Sequence, residues 1–274
     1  MARGFFMTVS VRNTILLFSL LFCLAILVAF VLAVGTIYVE KAAGQPLKVL
    51  LENHHHRQAI LTLTRLAAIL LYSVGAGLAL QRFFRKTVSP EMFFFIFFVI
   101  SLSFEALRAG PLLFAVSGEP SYYGTVLTRA VEFGRFFGVF CLFVSGLYAT
   151  GIDYSKFEVV LGVALLVAFT LAFSIPVDPS TFLPNLMYRI GGGNQILFVF
   201  LALEFFSILN FLLAAYLRRA RDYLLLAVGL AATIAGMDLL LYVGWLPAGA
   251  IGLALLIAGT VIFGNRTHAI YLWS

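Results

Sequence analysis

Long apolar stretches, broken at intervals by short clusters of basic residues, glycine and proline, run through the whole chain. A helix needs roughly 20 mostly apolar residues to cross about 30 Å of hydrocarbon. Eight windows meet that requirement, near residues 14–38, 58–81, 92–115, 123–149, 157–176, 195–217, 223–245 and 248–264. The last two are joined only through "WLPAG", where Pro247 and Gly249 suit a tight turn. The pattern predicts an all-α polytopic membrane protein, a bundle of about eight transmembrane helices. Seven is the competing count, if the first span is cleaved or the short last window does not span. The first apolar run, Ile15 to Val34, exceeds the roughly 7–15 residues of a signal-peptide core, which favours a retained span.

Composition strengthens this reading. Of 274 residues, 62% are apolar and 11% charged, 29 are phenylalanine, and the mean hydropathy is +1.06, far from the balance of a soluble domain. No segment has the length and polarity of a soluble domain. An inward N-terminus collects Arg3, Arg12, Lys156, Arg266 and the turns around Arg85 and Arg218 on the cytoplasmic side, leaving Lys41, Lys48, Arg57 and Arg189 outside. By the positive-inside rule the chain is expected in the cell membrane with both termini cytoplasmic. The formal charge of +6 is the signature of that rule. No basic face is interleaved with aromatics, so the lipid bilayer, and not nucleic acid, is the expected partner.

The loops suggest a repeated plan. Each half, 14–152 and 153–264, has a first span, a long outside loop, a second span ending in a basic turn, a third span carrying an acid, and a Pro-containing turn before the fourth. The basic turns are "QRFFRK" and "LRRARD", the acids Glu105 and Asp238, the turn prolines Pro120 and Pro247. Four spans return the chain to its starting side, which makes a 4+4 parallel pseudo-repeat of the kind known in transporters.

Charges inside the spans carry the candidate chemistry. The second window holds Arg65, the third Glu105 and Arg108, the fourth Arg129, Glu132 and Arg135, the sixth Glu204 and the seventh Asp238. Each would cost at least about 2.5–3.5 kcal/mol facing lipid, so they are expected to face one another. A rise of about 1.5 Å per residue puts Arg135 near mid-bilayer and the rest between the middle and the outer surface. On α-helices, Ser101, Glu105 and Arg108 share one stripe, as do Ala231, Ala235, Asp238 and Tyr242, whose small residues would admit a neighbouring helix. Gly134 and Gly138 offer the same small-residue spacing beside Arg135.

These residues predict an outward-facing cavity for a small polar or anionic ligand. Arg65, Arg108 and Arg129 are the expected ligand contacts, with Glu105, Glu132, Glu204 and Asp238 as counter-ions and Arg135 and Tyr242 completing the site. The plainer alternative is a self-neutralising lattice that fixes helix register. A third is proton movement through Glu132, Glu204 or Asp238.

Weaker signals flank this set. "ENHHHRQ" gathers histidines at the mouth of the second span, and an extended backbone would let His54 and His56 converge on a metal. The glycines 191–193 suit the hinge of a lid, or a plain flexible loop. "MFFFIFFV" reads as packing or lipid-facing surface, Cys23 and Cys141 as core thiols, and Tyr122, Tyr123, Tyr242, Trp245, Tyr271 and Trp273 as interfacial anchors.

The spans contain no histidine, and there is no HExxH, phosphate loop or late-span lysine. Haem, zinc-hydrolase, nucleotide and Schiff-base chemistry are thereby disfavoured. Neither an enzyme nor a cofactor is expected. The leading expectation is a sensor or receptor-like membrane protein whose inside turns present ligand binding to a cytoplasmic or membrane protein partner. The alternatives are a proton-coupled secondary transporter of a small anionic solute and a structural subunit of a membrane complex.

Overall fold

The apolar windows become helices in a computed structural model that describes residues 9–42, 53–84, 89–117, 119, 121–151 and 157–272. They are α1 (Val9–Ala42), α2 (Asn53–Phe83), a divided third span of α3 (Pro90–Ser101), a 3-10 segment (Leu102–Arg108) and α4 (Ala109–Ser117), then α5 (Ser121–Ala149), α6 (Phe157–Ser174), α7 (Gly193–Arg218), α8 (Arg221–Tyr242) and α9 (Leu246–Leu272). Among the described residues, eight helical segments are long and apolar enough to cross a membrane. The last is longer than its apolar window, because "NRTHAIYL", read from sequence as part of a cytoplasmic tail, continues α9. Its Tyr271 hydroxyl donates to Glu91 Oε2 at 2.6 Å.

One departure from an all-helical fold lies between α6 and α7. Strands β1 (Val177–Phe182) and β2 (Tyr188–Ile190) pair antiparallel, and the Gly191 amide closes the hairpin on the Pro176 carbonyl at 2.8 Å. Gly192 then opens α7 with φ of 70°, a left-handed conformation that costs glycine little. The glycine run therefore fits a hairpin-to-helix junction. Successive spans alternate in direction, so this hairpin shares one end of the bundle with the α8–α9 turn. The other end carries the starts of α3 and α8.

The third span is the hub. In its apolar window 89% of residues are buried, against 17% for α7, and Phe93 to Phe98 are all buried. The phenylalanine block is thus packing, with Phe95 stacked 4.1 Å from Phe263 of α9 and Phe94 5.6 Å from Tyr148 of α5. Phe18, Leu32, Phe198 and Tyr216 are more than half exposed on α1 and α7. Apolar surface of that extent is at home against lipid.

A glycine seam locks α8 to α9. A Cβ built on Gly236 would stand 2.7 Å from the Gly252 carbonyl oxygen, and one on Gly252 equally close to that of Gly236. Gly229 and Gly259 repeat the contact one heptad away. The sequence placed this seam on Ala231 and Ala235, but Ala235 is exposed. Backbone meets backbone on the neighbouring stripe, where side chains are missing altogether.

Candidate functional site

Pro111 explains the break in the third span. Its ring cannot sit above the carbonyl of Leu107 in α geometry, and the preceding residues tighten into a 3-10 turn. Carbonyls at the junction are satisfied from side chains. Ser73 Oγ donates to Val99 O at 2.6 Å, Ser101 Oγ to Phe98 O at 2.7 Å and Ser103 Oγ to Ile100 O at 2.8 Å. Irregular backbone survives at membrane depth only when its polar groups are met in this way.

Glu105 and Arg108, which the sequence put on one stripe, form an ion pair on this 3-10 segment, whose geometry eclipses residues three apart. Opposite them, Gly134 and Gly138 let α5 press against Phe104 and Ser101. That approach brings Arg135 Nε within 2.8 Å of Glu105 Oε1, while Arg135 Nη1 donates to Glu132 Oε1 at 2.5 Å. Arg135 Nη2 lies 3.9 Å from Met187 Sδ in the hairpin, and the guanidinium sits 5.4 Å from the centre of the Tyr242 ring. The hairpin is fastened to the same wall, since the Tyr188 amide points at Thr128 Oγ1 at 3.5 Å. Glu105, Arg108 and Glu132 are all at least 97% buried.

Beside this network lies a cavity of about 280 Å³ between α3, α5, α7 and α8. Glu105 and Arg135 form one side; Glu204, Asp238 and Tyr242 form the other, among apolar residues that include Phe98, Phe200 and Leu201. Glu204 is 7% exposed. Neither it nor Asp238 has a hydrogen bond or an ion pair among the described residues.

Two predicted ligand contacts lie elsewhere. Arg65 Nη2 donates to the Trp245 carbonyl at 3.0 Å and so steadies the α8–α9 turn. Arg129 is 5.9 Å from the centre of the Phe173 ring of α6, and its buried Nε has no hydrogen-bond partner. Neither lines the cavity, and Arg108 is enclosed behind Glu105. The expected metal ligands His54 and His56 fall in helical backbone at the start of α2, where the extended geometry they would need is missing; their side chains lie outside the described residues. The basic residues Arg85 and Lys86 and the turn residue Pro120 also lie outside them.

Sequence reading missed a further buried acid, Glu91, at the opposite end. Glu91 accepts from Tyr271 and, at 3.0 Å, from Ser89 Oγ, while Ser145 Oγ donates to its backbone carbonyl at 2.8 Å. The signal was present in Ser89-Pro90-Glu91, a serine N-cap followed by proline at the first helical position. Ser89 Oγ accepts from the Met92 amide at 3.2 Å as such a cap should.

Compared with known proteins, the chain matches no family model, no curated protein and no solved structure.

Proposed function

We propose that this chain is a sensor or receptor-like membrane protein that holds a small polar ligand in the cavity between α3, α5, α7 and α8. The supporting observation is Glu204, a carboxyl buried against apolar walls with no hydrogen-bond or ion-pair partner among the described residues. Such a group is costly unless something bonds to it, and the cavity leaves room for a ligand to do so. Of the polar and anionic ligands expected from sequence, the polar class fits better. Arg135 is already held by Glu105 and Glu132, and Arg65 and Arg129 are engaged outside the cavity. With both termini cytoplasmic the cavity would open outward. A ligand bridging its two sides would shift α7 and α8 against α3, and the basic inner turns around Arg85 and Arg218 would carry the change to a protein partner.

A secondary transporter is the second reading. It is favoured by the interrupted third span, because transporters build their sites at such discontinuities.

Thermal unfolding of the full chain in lipid nanodiscs, followed against a panel of small polar and charged solutes, tests the shared premise. A ligand of the folded state raises Tm by mass action, and Leu201→Trp, which fills the cavity, should cancel the rise. Were no solute to stabilise the protein, or were one to act equally on the variant, the cavity would not be the site. Accumulation of a stabilising solute in sealed vesicles would then select transport over sensing.

A further inference from the structure

Among the described residues, four carboxyl groups, Glu105, Glu132, Glu204 and Asp238, meet two guanidiniums, Arg108 and Arg135, in and around the cavity. The pairing is uneven in space as well. Both guanidiniums are engaged by Glu105 and Glu132 on the α3–α5 side, so the whole acidic excess falls on Glu204 and Asp238. A ligand anion would meet those carboxyls with no free cation to offset them. A ligand cation would find two acceptors that no other described residue bonds.

The remaining walls set its size and shape. An apolar protein cavity of about 150 Å³ accepts benzene, so one of about 280 Å³ takes roughly a dozen non-hydrogen atoms. Phe98, Leu102, Phe200, Leu201 and Met237 give an apolar body a place to lie. A bare metal ion would fit poorly, since hard cations collect six or more oxygens and this side of the cavity presents two carboxyls among hydrocarbon.

From this geometry we infer that the ligand is a small amphipathic amine, its ammonium group bound between Glu204 and Asp238 and its apolar portion directed toward Phe98 and Phe200. The inference rests on the cavity-binding reading above and names its ligand class.

Three matched series separate the two: primary n-alkylammonium chlorides from butyl to octyl, the corresponding alcohols, and the corresponding carboxylates, each titrated into the full chain in nanodiscs by calorimetry. Ammonium ions should bind at least about tenfold more tightly than alcohols of equal length, and carboxylates should not bind. Glu204→Gln and Asp238→Asn should each lower ammonium affinity by about tenfold or more while leaving the weak alcohol binding in place. If alcohols or carboxylates bind as well as ammonium ions, and Leu201→Trp abolishes that binding, the cavity is a ligand site and the amine inference is wrong. If none of the three series binds, the amine inference falls, and the solute panel above decides the cavity reading separately. The native protein alone decides between ammonium and alcohol, so the outcome survives a variant that does not fold.

Discussion

The two walls of the cavity are built on opposite terms. On the α3–α5 wall, glycines at 134 and 138 admit Phe104 and Ser101, the backbone break is stitched by serines, and the Glu105 and Glu132 carboxylates both reach Arg135. On the α7–α8 wall, Glu204 and Asp238 have no such partners, and Leu197 and Leu201 are about half exposed. Buried charges that have found each other act as braces whose net stabilisation is small but whose breakage is costly. Those left without partners remain available to whatever enters. The same residue types are thus bonded to one another on one wall and, among the described residues, left without partners on the other.

The largest expected effect comes from breaking the braced wall. Arg135→Gln removes the cation shared by Glu105 and Glu132, leaving Glu132 with no guanidinium in contact and Glu105 with Arg108 alone. Losing one partner of a buried ion pair costs about 3–5 kcal/mol, so the variant should melt far below the native chain in nanodiscs or fail to fold. Adding Glu132→Gln should recover part of the loss, as coupled neighbours do in a double-mutant cycle. A single variant as stable as the native protein would erase the distinction between the walls.

Next comes the support behind the open wall. Gly236 presses its backbone on Gly252, two residues from Asp238. Gly236→Ala therefore drives a methyl into the α9 backbone and should cost about 1–3 kcal/mol through overpacking. It should also displace Asp238 and weaken ammonium binding. Thermal unfolding and calorimetry on the one variant measure both consequences. Loss of stability with binding intact would mean that Asp238 is positioned from the cavity side instead.

A smaller effect sharpens the contrast most directly. Glu204→Gln breaks no hydrogen bond or ion pair among the described residues and preserves side-chain size, so stability in the absence of ligand should change by less than about 1 kcal/mol. Set beside Arg135→Gln, the comparison asks whether an intramembrane charge is costly to lose because it is buried or because it is paired. A large loss in the Glu204 variant would move that residue to the framework side.

How much of this was legible follows the same division. The eight long apolar helices and the close approach at Gly134 and Gly138 rest on composition and spacing, which are local properties of the chain, whereas the sequence left Phe93 to Phe98 open between packing and lipid-facing surface. The charges gathered in the third and fourth spans were visible for the same reason. Their sorting was not. An α-helical stripe already set Glu105 beside Arg108, but it could not show the 3-10 turn before Pro111 or that Arg135 of the next span would join Glu105. Arg65 and Arg129 were placed nearer the outer surface than Arg135, but depth says nothing of azimuth: Arg65 reaches the Trp245 carbonyl and Arg129 lies against the Phe173 ring, both away from the cavity. The α8–α9 seam was legible as glycine at heptad spacing on both helices, but an alanine stripe nearby drew the reading one face away.

The hairpin supplies the smallest and most local test, because it reports on the braced wall from outside the membrane spans. Asp178 Oδ1 accepts from the Ser180 hydroxyl at 2.6 Å and its amide at 3.0 Å, and Oδ2 accepts from Thr181 Oγ1 at 2.9 Å. Those hydrogen bonds, the Ser180 hydroxyl's foremost, hold the Asp178 carboxyl below its ordinary range. A depressed folded-state value stabilises the hairpin fully above the ordinary aspartate pKa of about 3.9, and that stabilisation is lost as pH falls through the depressed value. Amide exchange at Gly191, whose N–H closes the hairpin on Pro176, should therefore quicken on acidification relative to the intrinsic rate. Asp178→Asn should flatten that dependence. Ammonium affinity should not change in this variant, since Met187 and Tyr188 join the hairpin to the α3–α5 wall and neither is among the residues that line the cavity. A loss of ammonium binding in Asp178→Asn would show the hairpin acting on the open wall as well, and the two walls would then have to be treated as one unit.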